Sequence, residues 1–498
     1  MLKKPALFSG CFFVRQSGGI VRDWADVGTQ RGCRNGNFME FVSLTRAVEI
    51  GANSYLLRSR GRTLVLDAGM HPRQEGAAAL PEYERIGGGD GDGGANAIFL
   101  THAHQDHVGT LPVLTRRERG TPVFMTSATA RIADVMLHNS ANVMMRQKEE
   151  LRLPEYPLFT HRGIELSRAD WRMRKCGVTY DFAGEPASPG AEGTFRFFPA
   201  GHILGAVGIL FQLEGQRIFY TGDVSFENQT LLRGAEFPKD GVDTLIMETT
   251  RGNAPMPPGF TRVREEERLA EAMAEAFAQD GSVTIPVFAL GKTQEVLAIL
   301  WRMRLQGRLP ATPVYIGGLS AKLTTLYDSL SDDAQRQHPD WKLLQDMAPY
   351  VVGGNDIAAL SPRKRCVFAL SSGMMTEKTL SNIFARKVLG DPGQNLFFVG
   401  YSDPESPAGR IRSATPGADI SLDPRHPATP LRCNVKEFNL SAHANRESLL
   451  DYAVALRPKK ILLVHGDPPA IAWFRDSLHR ELPGTTVVVP EPGEAVPL

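Results

Sequence analysis

Between residue 40 and about residue 250, short apolar runs recur and each is closed by a polar cluster: "TLVLDAG", "AIFLTHAH", "TPVFMT", "FRFFPAGH", "GILFQLEGQRIFYTGD" and "DTLIMETT". Runs of this length, rich in β-branched and aromatic residues, predict buried strands. Each delivers a polar residue at its C-terminal end, the place where layered α/β folds put their chemistry. Within the fifth run, "EGQ" between two apolar arms predicts a hairpin turn. An earlier strand pattern begins at "MEFVSLTRAVEIGANSYLLRS".

After "RGNAPMPPGF" the pattern changes. "REEERLAEAMAEAFAQ" and "KTQEVLAILWRMRLQ" have helical periodicity, while "SVTIPVFAL", "TPVYIGG", "CVFALSSG" and "NLFFVGY" read as buried strands. Alternating elements of this kind predict a second α/β domain with a parallel sheet. Beyond about residue 440, "NRESLLDYAVAL" and "KKILLVHGD" add one more helix and strand, and this strand again ends in a histidine. The economical arrangement is an α/β core over 39–252, an inserted α/β domain over 253–440, and a return to the core over 441–498. Residues 1–38 lack any period and are expected to be a poorly ordered extension outside the core, with Met39 as an alternative start. The "GGGDGDGG" at 87–94 has no helix signal behind it and reads as a flexible loop, not a phosphate cradle.

Composition narrows the partners. Fifty-six basic residues against 55 acidic leave a net charge of +1, so a polyanion must be held by a local patch and not by a global field. The clusters "RRER" (116–119) and "PRKR" (362–365) read as solvated faces. Five scattered cysteines without CxxC spacing fit a reducing, cytoplasmic setting. No run approaches the roughly 18 to 20 apolar residues of a membrane-spanning helix, so no membrane is expected as a partner.

The sharpest chemical signal is "HAHQDH", residues 102–107. Imidazoles and a carboxylate this crowded cannot all be buried without a compensating partner. His102 and His104, two apart, would share one face of a strand, with Asp106 and His107 in the following loop. Imidazole nitrogen and carboxylate oxygen are donors that zinc accepts at about 2.0 to 2.2 Å. Four donors so close could serve two ions. "PAGHILG" (His202), "YTGDVS" (Asp223) and "LVHGD" (His465) would complete two coordination sets.

With "LVLDAG" ahead of it and GH and GD behind it, HxHxDH resembles the metallo-β-lactamase fold, and the later pieces resemble its β-CASP branch of nucleases. The resemblance implies an αββα sandwich carrying an inserted α/β (β-CASP) domain, and a zinc-dependent ribonuclease working by a hydroxide that bridges two zinc ions per chain. It implies that His102, His104 and His202 bind one zinc, that Asp106, His107 and His465 bind the other, that Asp223 bridges them, and that Asp67 orients the loop from outside. Glu248 in "METT", His443 in "NLSAHAN" and His465 stand at the branch's acidic and histidine motifs. His465 favours RNA over DNA, because DNA-processing members tend to carry an apolar residue there.

Hydrolysis also needs an acid for the departing oxygen, and His443, steadied by Glu248, is the expected donor beside the catalytic carboxylates Asp106 and Asp223. Single-stranded RNA would be gripped through its phosphates by Gly291 and Lys292 at a helix start, by Ser371, Ser372 and Gly373 in a strand-to-helix setting, and by Ser441. "TTRGN" places Arg251 where the eukaryotic endonucleases of the branch typically have Tyr, so the cleft wall is expected to differ. Neither an RNA-binding KH module nor a long C-terminal domain is seen in this sequence, so a minimal member is expected; a homodimer is allowed. Cleavage could be internal, or 5′-to-3′ from an end. The competing readings are a DNA-processing nuclease of the same branch, a small-molecule thioester or lactone hydrolase of the same fold, and an inactive RNA-binding subunit.

Overall fold

A computed structural model describes residues 39–87, 94–330 and 335–498. The expected extension over 1–38 and most of the Gly-rich loop lie outside these residues. Two seven-stranded sheets face each other. The first runs, in spatial order, Ala495–Pro497, Glu40–Ser43, Tyr55–Ser59, Arg62–Leu66, Ala97–Phe99, Val123–Met125 and Trp171–Met173. It is antiparallel as far as Arg62–Leu66 and parallel beyond. The second runs Thr486–Val488, Lys460–Val464, Thr244–Glu248, Gln216–Tyr220, Val207–Leu213, Thr194–Pro199 and Thr179–Asp181.

The inner faces meet in a core dominated by aromatic residues. Phe99 stands edge-on to Phe195 at 4.8 Å and to Phe211 at 5.0 Å, geometry that aromatic quadrupoles favour. Helices cover both outer faces, which gives the αββα sandwich. Lys460–Val464 pairs in parallel with Thr244–Glu248, and Ala495–Pro497 pairs with Glu40–Ser43, so the C-terminal segment closes both sheets. A third, six-stranded sheet is all parallel: Tyr350–Val352, Val314–Gly317, Val367–Leu370, Val283–Pro286, Asn395–Phe398 and Asn434–Glu437. This is the inserted α/β domain.

Several local expectations meet their physical cause here. The predicted hairpin turns on Glu214 and Gly215, whose φ values of 50° and 78° are those of a two-residue turn matched to strand twist. The segment read as one strand pattern from Met39 is two strands, Glu40–Ser43 and Tyr55–Ser59, held together across the gap by Leu44 N donating to Ser54 O. Helix Ser127–Glu150 had no counterpart in the hydrophobic pattern. Much of its buried face is Ala128, Ala130, Ala133 and Ala141, which blurs the amphipathic signal. Both basic clusters are largely exposed, and Lys364 and Arg365 pair with Asp280 at 3.0 Å.

Candidate metal centre

Strand ends bring the polar residues together. His102 and His104 do not lie on a strand as expected: Ala97–Phe99 stops short of them. Asp106 and His107 are not in a loop either. Gln105–Val108 is one helical turn, because His104 O accepts the N–H groups of both His107 and Val108. That turn is clamped to the segment after Arg62–Leu66. Ala68 N donates to His107 O, Met70 N to Gln105 O, and Asn53 N to Asp106 O. Gly69 is needed at this clamp, since a Cβ there would lie 1.9 Å from the Asp106 carbonyl oxygen.

Three groups of donors result: His102, His104, His202 and Asp223; Asp106, His107 and His465; and, at the edge, Asp223 with Glu248 and His443. Asp223 joins them. Its Oδ2 lies 3.5 Å from the Nε2 atoms of both His102 and His202, while its Oδ1 lies 3.4 Å from His107 Nε2 and 3.1 Å from His465 Nδ1.

On three of the five imidazoles the other ring nitrogen is tied outward, which aims the lone pair inward. His202 Nδ1 donates to Ala442 O at 2.8 Å. The His107 Nδ1 proton goes to Asp67 at 2.8 Å. Thr101 Oγ1 donates to Asp67 and so accepts from His102 Nδ1 at 3.1 Å. Asp67, fully buried, also accepts from Thr101 N and Tyr220 OH, both at 2.8 Å. Such outer partners fix the tautomer of a metal-binding imidazole.

The donor set suits a divalent ion. His102 Nε2 and His202 Nε2 both converge on His104 Nδ1, at 3.1 and 3.0 Å. One nitrogen cannot resolve two such approaches with a single proton, whereas a cation among the three lone pairs does. Burial pushes the pKa values of His102, His104 and His202 down, keeping these imidazoles neutral and able to ligate. Burial alone would raise Asp223, but the histidines packed against it, His107 among them, hold it well below the usual carboxylate range. Its buried Oδ1 has no hydrogen-bond donor among the described residues.

His443 stands at the edge of this cluster. Its Nδ1 meets Glu248 at 3.2 and 3.3 Å, and its Nε2 lies 4.0 Å from Asp223 Oδ2. Burial opposes protonation, but the Glu248 carboxylate outweighs it and His443 is raised above the ordinary imidazole value. Glu248 is itself held by Val224 N at 2.7 Å and by Thr250 Oγ1, which also contacts His465 Nδ1 at 3.0 Å.

The expected phosphate contacts divide. Gly291, Lys292, Gly373 and Ser441 line a cleft of about 780 Å³ that also exposes His104, Asp223, His443 and His465. Ser371 and Ser372 are not on that lining, and the next helix, Leu380–Val388, begins too late to give them a helix N-terminus. Nor are the N–H groups at Lys292–Leu305 free for phosphate. Gly291 N donates to Gln294 Oε1, Lys292 N to Leu290 O and Thr293 N to Phe288 O. Lys292 Nζ donates to Leu440 O, and burial beside Arg262 and Arg251 pushes the amine down to about 7. Ser441 Oγ accepts His443 N at 3.1 Å.

Asn53, Thr101, Tyr220, Gln229 and Thr250 went unread in the sequence. Gln229 Nε2 pins the carbonyls of Gly201 and His202 at 2.7 and 2.8 Å. Their only signal was adjacency: Thr101 precedes "HAHQDH" and Tyr220 opens "YTGD".

Comparison with known proteins agrees with this architecture. Residues 48–282 match the metallo-beta-lactamase superfamily, 293–411 the Beta-Casp domain, and 429–490 the Zn-dependent metallo-hydrolase RNA specificity domain. The chain is 27% identical over 475 residues to the cleavage and polyadenylation specificity factor subunit 3 of Dictyostelium discoideum, covering 94% of this chain and 58% of that one. It is 27% identical to Endoribonuclease YSH1 of Saccharomyces cerevisiae (89% and 56% covered) and 28% identical to cleavage and polyadenylation specificity factor 73 of Drosophila melanogaster (89% and 62%). The chain thus spans little more than half the length of these relatives. A crystal structure of a protein of unknown function from Enterococcus faecalis V583 shares the fold, with a TM-score of 0.52 and 14% identity over 92% of this chain and all of that one. Histidine-carboxylate groups on an αββα sandwich, an inserted parallel-sheet domain and three matched segments in chain order together give this chain a metallo-β-lactamase domain carrying an inserted Beta-Casp domain.

Proposed function

We propose that this chain is a zinc-dependent ribonuclease that hydrolyses phosphodiester bonds of single-stranded RNA, acting in RNA processing or decay. The observation that carries it is His443, protonatable and fixed by Glu248, beside seven converging histidine and aspartate side chains on an open cleft. In this reading His102, His104 and His202 hold one zinc ion, Asp106, His107 and His465 a second, and Asp223 joins the two. When bound, such a pair makes hydroxide available near neutral pH and offsets charge on the phosphate oxygens.

The chain's own residues do the rest. Glu248 holds His443 Nδ1, leaving Nε2 directed at the cluster, where it hands its proton to the departing ribose oxygen. Asp67 keeps the His107 Nε2 lone pair turned inward. Arg410 adds positive charge along the cleft, and its largely apolar walls, including Phe288 and Tyr401, accommodate bases.

One of the three relatives is named an endoribonuclease and the other two cleavage and polyadenylation specificity factors, which supports internal cleavage here. Among the described residues no helix is long and apolar enough to cross a membrane, and Cys366 and Cys433 are buried thiols, which suits the cytoplasm. The apolar walls favour one second reading, a thioester hydrolase.

The test is zinc-loaded protein on a 5′-labelled single-stranded RNA, with the matching DNA and a thioester panel alongside. Internal RNA fragments are expected, and His443→Ala should retain zinc while cutting at least a hundredfold more slowly, the usual weight of a general acid being about 10²- to 10⁴-fold. Thioester turnover with intact RNA would overturn the reading.

A further inference from the structure

A small polar pocket opens beside His443; none of the seven metal-donor side chains lines it, and among its lining residues are Arg251, Arg262, Ser225, Asn439 and Ser441. We infer that this pocket is a second phosphate-binding subsite, built on Arg251, for the strand that departs with the oxygen protonated by His443. The inference rests on the ribonuclease reading above.

Arg251 is the reason. It is half-buried, yet the only hydrogen-bond contact of its guanidinium among the described residues is Nη2 to the Met256 sulfur at 3.5 Å. Drawing a cation out of water without an anion against it is costly. The nearby carboxylates are engaged elsewhere: Glu248 with His443, and Glu447 with Arg446 at 3.0 Å. Glu227 sits exposed on the lining and is the one acidic side chain there. The burial cost of Arg251 therefore has a ready remedy in a ligand anion.

Its neighbours behave differently. Arg262 is committed to Glu295 at 2.6 Å, to Glu266 at 3.3 Å and to Ser441 O at 3.1 Å. With Lys292 on Leu440 O, it holds the loop that presents His443. These are positioning residues, whereas Arg251 keeps its five-donor fork for a ligand. A planar fork suits a phosphate's paired oxygens.

Position identifies which phosphate. His443 and Ser441 line both this pocket and the cleft that holds the metal centre. A strand whose scissile oxygen is protonated by His443 continues past that ring, and the pocket is the next polar recess on its path. The resemblance expects Tyr where this chain has Arg251, so the subsite distinguishes this chain from the eukaryotic endonucleases.

The experiment uses zinc-loaded full-length protein, the R251Q and E227Q variants, and an RNA whose cleavage site has been mapped. A matched RNA carries an uncharged methylphosphonate at the phosphate next to that site on the leaving side. Wild type is expected to lose about tenfold in kcat/KM on the neutralised RNA. R251Q should lose about tenfold on normal RNA, mainly through KM, and nothing further on the neutralised one. E227Q should move KM in the opposite direction. For binding, the slope of log Kd against log salt should fall by about 0.7 in R251Q, the value of one phosphate contact to a single strand.

Equal losses by R251Q on both RNAs, or no loss on either, overturn the subsite while RNA cleavage by wild type leaves the ribonuclease reading standing. An Arg251-dependent salt slope without any cleavage keeps the subsite and overturns the ribonuclease reading. No RNA binding at all removes both. Unchanged zinc content in each variant shows that the fold is intact.

Discussion

Asp67→Asn is the change from which the metal centre has most to lose for the least alteration in shape. The carboxylate takes Thr101 N, Thr101 Oγ1, His107 Nδ1 and Tyr220 OH, with the backbone, imidazole and phenol donors each at 2.8 Å, in a site with no access to water. Asparagine keeps the volume but replaces one acceptor oxygen with an NH₂. If the NH₂ takes the Oδ1 position it faces the Thr101 N–H, which cannot turn away. If it takes the Oδ2 position it faces His107 Nδ1–H. A buried donor left unsatisfied costs about 1 to 3 kcal/mol. The imidazole can escape by moving its proton to Nε2, the atom 3.4 Å from Asp223 Oδ1 that is meant to ligate. Either the fold carries the penalty or the metal loses a donor. Zinc affinity is expected to fall about 10- to 100-fold, which is the usual weight of an outer partner and equals about 1.4 to 2.8 kcal/mol. Competition against a chromophoric zinc chelator measures the affinity, and denaturant melts of metal-free protein measure the penalty to the fold. D67N protein with both wild-type zinc affinity and wild-type metal-free stability would refute the tautomer argument.

Two further changes test other parts of the centre. Because the Glu248 charge is what raises His443 against burial, Glu248→Gln should lower the His443 pKa; His443 then loses its proton at lower pH, and the alkaline fall of the pH–rate profile should move towards acid at unchanged zinc content. An unmoved alkaline limb would separate His443 from the acid role. Gly69→Ala places a Cβ 1.9 Å from Asp106 O, against an ordinary contact of 3.4 Å or more, so the Asp106–His107 turn must shift by roughly 1.5 Å. Zinc per chain, read by mass spectrometry, should fall towards half as the Asp106, His107 and His465 group is lost first, and full occupancy would show that the turn yields without cost.

Legibility in the sequence followed the range of the interactions. "HAHQDH" could be read because its residues are neighbours in the chain and their chemistry has few other uses. The secondary structure around it was misjudged, since the stop of Ala97–Phe99 and the helical turn at Gln105–Val108 are set by contacts with residues 53 and 67–70. The helix at Lys292–Leu305 was visible in its periodicity, but the occupation of its first N–H groups by Gln294, Leu290 and Phe288 was not. Thr101, Tyr220, Gln229 and Thr250 are neutral polar residues of common types, and nothing in their spacing marks them. Their importance comes from being buried beside charges.

By itself, the chain's order of residues determined the layered α/β class, the strand ends that carry chemistry, and the run of imidazoles that requires a cation. These depend on local hydrophobic period and on the donor chemistry of side chains, both properties of short segments. Only the folded structure decided which carboxylate oxygen faces which histidine, where the His107 proton sits, and that Arg251 is left half-buried with a thioether as the sole hydrogen-bond partner of its guanidinium among the described residues. Those depend on desolvation and on hydrogen bonds between residues far apart in the chain, such as Asp106 and His465, 359 positions apart, and exist only once the sheets have closed.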